Sequence, residues 1–167
     1  MSTTLRLPAL ALATALLGAL ALTAGCGGGN GDSATLTKAQ FVAQGDAICA
    51  QARQAFLAAQ PSPPSTPEKA AALQQELITT SEDELSRIRA LSAPATVKPA
   101  LSKYLSAREN GIALLRKGLV AAQNKDLRGY TSAQSQVAAG QLKRLKLAQA
   151  VGFTACSRPL PQPSGGA

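Results

Sequence analysis

An all-α fold, an up-down-up-down four-helix bundle, is predicted by three observations. Apolar residues recur at helical spacing in four stretches, short breaks rich in Pro, Asn and Asp separate them, and Ala and Leu dominate a chain with three Phe, two Tyr and no Trp. Helices that pack closely through small side chains suit this composition. A β-sandwich would need more β-branched and aromatic residues.

The elements follow in order after residue 36. The first helix opens on Thr37, with Gln40 three residues on as a capping box and Leu36 placed to staple onto Phe41. Phe41, Gly45, Ile48, Ala52, Phe56 and Ala59 form its stripe, and Pro61 stops it. Thr66 caps the second, with Pro67 in the first turn. Its stripe is Leu73, Leu77, Ile88 and Leu91, and it ends before Pro94. The third starts between Thr96 and Pro99, carries Leu101, Tyr104, Leu105, Ile112, Leu115 and Leu119, and ends near Asn124. The fourth is capped by Asp126, runs through Leu127, Tyr130, Val137, Leu142 and Leu145, and loosens near Gly152.

The first 25 residues carry Arg6, an apolar Ala/Leu run and small residues at the end, the pattern of a secretory signal peptide. A retained anchor is the alternative, although the run is short and weakly apolar for a span of about 20 residues. The stretch Leu22-Thr23-Ala24-Gly25-Cys26 resembles a bacterial lipobox. That resemblance implies cleavage before Cys26, acyl chains on the cysteine and an exported protein on the outer face of the cytoplasmic membrane. Two or three acyl chains anchor stably where one binds only marginally. Residues 26–36 read as the lipidated cysteine and a Gly-rich tether reaching about 15–20 Å. The bundle domain spans 37–156, and 157–167 form a Pro/Gly tail.

Cys49 and Cys156 remain, an even pair that an exported domain is expected to join, with two buried free thiols as the alternative. The bond would require the chain after Gly152 to fold back along the bundle. The chain also resembles a loose class of small lipoproteins of high-G+C Gram-positive bacteria, which share a capped helix with a Phe, Asp-Ala-Ile-Cys (Asp46 to Cys49) and a closing Gly-Phe-x-x-Cys (Gly152 to Cys156). The class carries no established activity that the resemblance could transfer.

Two charges fall inside apolar stripes. Glu84 lies among Leu77, Ile88 and Leu91, and Arg108 among Leu101, Leu105, Ile112 and Leu115. The second and third helices form a hairpin, and the two residues lie equally far from its turn, so they are expected to pair. Either alone in the core would cost several kcal/mol. Looser counting adds Gln44 and Gln141 to a polar layer with them. That layer reads either as a device that sets helix register, as polar core residues do in coiled coils, or as a site for a small polar ligand.

From Lys98 to Arg158 there are eleven basic residues against Glu109 and Asp126, whereas from Gly27 to Val97 five oppose seven acids. Lys98, Lys103, Lys143, Arg144 and Lys146 are expected to face the membrane and attract anionic lipid, or else to form a solvated surface. Nucleic acid is not expected as a partner, since stacking aromatics are scarce. With no His, no second close carboxylate and no phosphate-cradling loop, neither an enzyme, a metal site nor a cofactor is expected. The leading expectation is a non-enzymatic binding module of the cell envelope, held to the membrane by its lipid and in contact with an envelope protein or anionic lipids. A small-molecule carrier or sensor is the alternative.

Overall fold

The computed structural model describes residues 35–160. The expected signal peptide, Cys26, most of the expected tether and the last seven residues of the expected tail lie outside that range. Within it the chain is helical, with no strand among the described residues: α1 (Lys38–Ala59), α2 (Pro67–Ala90), α3 (Lys98–Gln123), α4 (Leu127–Ala139) and α5 (Gln141–Val151).

Local chemistry sets the helix starts. Thr37 accepts from the Gln40 amide while the Gln40 side chain accepts from the Thr37 amide, so two orphan donors are met at once. Thr66 caps α2 ahead of Pro67, and Asp126 caps α4 through the Gly129 amide at 2.9 Å. α5 ends on Gly152 at φ 105°, a left-handed conformation that glycine adopts freely. There the Gly152 amide donates to Gln149 and the Phe153 amide to Ala148, a Schellman closure.

The single helix expected over 127–151 is divided at Gly140. Arg144 Nη1 donates to the Val137 carbonyl at 3.1 Å and bridges the break. The expected stripe of this stretch is corrected with it. Leu127 and Leu142 are 75% and 62% exposed, and Ala133, Ala148 and Val151 are the residues buried. The reason is close approach: Gly118 and Ala121 on α3 meet Ala133 and Gly129 on α4, an interface of small side chains that a leucine would hold apart.

α3 is the central element, packed on α2, α4 and α5, while α1 packs on α2. Ion pairs between Lys125 and Glu68, Arg116 and Glu82, and Arg108 and Glu84 show that α2 and α3 run antiparallel. The core forms two apolar clusters. One joins Phe41, Ile48, Ile88, Leu101, Tyr104, Val151 and Phe153. The other joins Leu77, Ile78, Leu85, Ile112 and Leu115.

After Gly152 the chain folds back onto α1. Phe153 enters the core, stacked on Phe41 at 5.6 Å and edge-on to Tyr104 at 5.7 Å. The Asp46 carboxylate accepts from the amides of Thr154 and Ala155. Cys156 then meets Cys49 in a disulfide, with Cα atoms 5.1 Å apart.

Candidate functional site

The charged residues within the stripes meet where expected. Arg108 Nη2 donates to Glu84 Oε2 at 2.5 Å, and the Tyr104 hydroxyl, one turn before Arg108 on α3, donates to Glu84 Oε1 at 3.2 Å. Glu84 is 5% exposed. Burial pushes its carboxyl above the usual range, with the Arg108 charge and the Tyr104 hydroxyl opposing that shift. Burial, and then the Glu84 charge, push the Tyr104 phenol well up, so it stays a donor.

Gln44 does not join this layer. It is exposed on α1, and the α1 group at this level is Cys49, whose sulfur lies 3.6 Å from Glu84 Oε1 and 4.0 Å from the Tyr104 oxygen. In the disulfide that sulfur has no proton to donate. α1 is therefore offset by about five residues, roughly 7–8 Å along its axis, from the level that counting through the long 60–66 connection suggests.

Gln141 does reach the site. It lines a cleft of about 110 Å³ together with Glu84, Tyr104, Arg108 and the disulfide. Three further arginines line the same cleft: Arg53 from α1, Arg144 from α5 and Arg158 from the returning segment. Arg53 donates to the Pro159 carbonyl at 2.7 Å, which fastens that segment over one side. Arg144 is partly buried, and burial together with the nearby Arg108 charge lowers its proton affinity. Lys98, Lys103, Lys143 and Lys146 are exposed.

Sequence reasoning missed Tyr104 as a polar partner, the three additional arginines and Gln74. Tyr104 is four residues from Arg108, Arg53 four from Cys49 and Arg144 three from Gln141, so helical spacing from residues already singled out could have found each. Gln74 is fully buried facing Gly118, with neither amide atom hydrogen-bonded. Its spacing, three before Leu77 and four before Ile78, places it on the buried face of α2, unlike the exposed Gln75.

Chemically, one carboxylate lies among several guanidiniums. Glu84 is the only carboxylate lining the cleft among the described residues, so there is no pair of carboxylates for acid–base work. No group of three His, Cys, Asp or Glu that could hold a metal occurs among them, and none of their helices is long and apolar enough to cross a membrane. Comparison with protein-family models, curated proteins and solved structures finds no match to this chain.

Proposed function

We propose that the chain is an exported lipoprotein of the high-G+C Gram-positive type, anchored through Cys26 to the outer face of the cytoplasmic membrane. In this reading it acts without catalysis as a binding module of the cell envelope. The observation that carries the reading is the Cys49–Cys156 bond, because such bonds persist in oxidising compartments and are rare in the cytosol. The lipobox-like run before Cys26 supports the anchor. The antiparallel α2–α3 pair supports an up-down-up-down course for the whole bundle. The exposed Lys98, Lys103, Lys143 and Lys146 offer anionic lipid about 1 kcal/mol each when near the surface, so they would orient the anchored domain.

Cys26→Ser tests the anchor. The variant should take up no labelled fatty acid and should leave the membrane fraction or remain uncut. Unchanged labelling and fractionation would sink the proposal. The released variant should bind anionic vesicles weakly and lose them in high salt; equal binding to neutral vesicles would reduce the lysines to a solvated surface.

A second reading, a small-molecule carrier or sensor, is favoured by one observation. The Glu84–Arg108 pair is not sealed in the core but opens on the cleft beside the disulfide.

A further inference from the structure

Four arginines, Arg53, Arg108, Arg144 and Arg158, line a cleft whose one carboxylate among the described residues is Glu84, already engaged by Arg108 and Tyr104. Positive charge is thus in excess there, carried by the partly buried Arg53, Arg108 and Arg144 and the exposed Arg158. Arg108 has 18% of its side chain exposed, and its Nε is buried without an acceptor. Arg144 spends one Nη on Val137, and Arg53 one on Pro159. The remaining guanidinium N–H groups have no carboxylate to receive them in the cleft. Cations gathered on one wall raise each other's energy, and the effect grows as water is withdrawn.

The volume sets the size of what would balance them. A water takes roughly 30 Å³ of liquid, so about 110 Å³ has room for a few waters or one small ion. Guanidinium is planar and forked, and it matches two oxygens of one anion better than ammonium does.

We propose that this cleft binds a free, small tetrahedral oxyanion of the phosphate class, held chiefly by Arg108 and Arg144 and closed by Arg53 and Arg158. The inference rests on the carrier or sensor reading and names its ligand class. The disulfide fits this role, because Cys156 fixes the segment that brings Arg158 to the cleft. Glu84 orients Arg108 through the hydrogen bond between them.

The test uses the intact protein in a neutral detergent and a buffer free of oxyanions. Inorganic phosphate is titrated by calorimetry, with chloride at matched ionic strength as the blank. Saturable binding of one phosphate per chain is expected. Arg144→Gln should weaken it at least tenfold, whereas Arg128→Gln, at an exposed position on α4, should leave it unchanged. Arg53→Gln gives a second test should Arg144→Gln unfold, and it should weaken binding severalfold. No heat beyond the chloride blank, or equal losses in Arg128→Gln and Arg144→Gln, would overturn the proposal. Glycine and glycerol, titrated in parallel, separate this failure from that of the carrier reading. Binding of either in place of phosphate, abolished by Arg144→Gln, would overturn the oxyanion and keep a polar ligand site. Binding of none of the three would remove both.

Discussion

Glu84 combines 5% exposure with a hydrogen-bonded arginine, so the two residues depend on one another. Removing one partner strands the other charge in a poorly hydrated place. Glu84→Ala or Arg108→Ala should each lower unfolding free energy by about 3–5 kcal/mol, while replacing both by Leu or Met should cost far less. Denaturant unfolding of the three variants checks this, and single variants as stable as the parent would mean the pair adds nothing. The carboxyl also makes a signed pH prediction. Burial raises it above its ordinary 4.5, so the folded chain holds that proton more tightly than the unfolded one. Its stabilising contribution is complete below the unfolded-state value and is lost as pH rises through the folded-state value. Glu84→Gln cannot titrate there. The parent should therefore lose ground to Glu84→Gln as pH rises from the ordinary carboxyl value of 4.5 through the higher folded-state value. A stability gap that does not change over that interval would place the carboxyl at its ordinary value.

Among the elements, α1 owes its position to what it lacks at Gly45. A methyl there would overlap the ring of Phe153, which is 1% exposed and held between Phe41 and Tyr104. Glycine inside a helix ordinarily costs about 1 kcal/mol relative to alanine. Here overpacking costs about 1–3 kcal/mol and should outweigh that gain. Gly45→Ala should accordingly melt below the parent, with the Phe153 environment disturbed in NMR spectra. A variant that melts higher would show that the returning segment is loose. Gly140 plays a different part. It divides the last helical stretch, and Arg144 beyond the break both bridges it and reaches the cleft. The break and the arginine's position are one feature.

For the whole molecule, the disulfide joins residues 107 apart in sequence, tying α1 to the segment after α5. Closing a loop of about that length removes unfolded-state entropy worth roughly 4–5 kcal/mol in the chain-entropy model. Replacing both Cys49 and Cys156 by Ala should lower stability by that order. The domain should still fold, because Phe153 in the core and Asp46 on the Thr154 and Ala155 amides hold the segment independently. Equilibrium unfolding of the double variant beside the oxidised parent measures the difference. A negligible loss would mean the segment detaches at no cost.

The sequence by itself determined where α1, α2 and α4 begin, because caps and prolines act within a turn: Thr37 with Gln40, Thr66 with Pro67, and Asp126 all do what their chemistry requires. It also determined the Glu84–Arg108 pair, since in an antiparallel hairpin equal counts from one short turn lead to one level. Counting failed where connections lengthen or an axis breaks. α1 slid by about five residues and put Cys49 where Gln44 was expected, and the close small-residue contact between α3 and α4 leaves Leu127 exposed, with Leu142 exposed beyond the Gly140 break. The convergence of Arg53, Arg144 and Arg158 was decided by tertiary structure alone. Spacing links Arg53 to Cys49 and Arg144 to Gln141, but bringing them together with Arg158 depends on helix offsets and on the fold-back after Gly152.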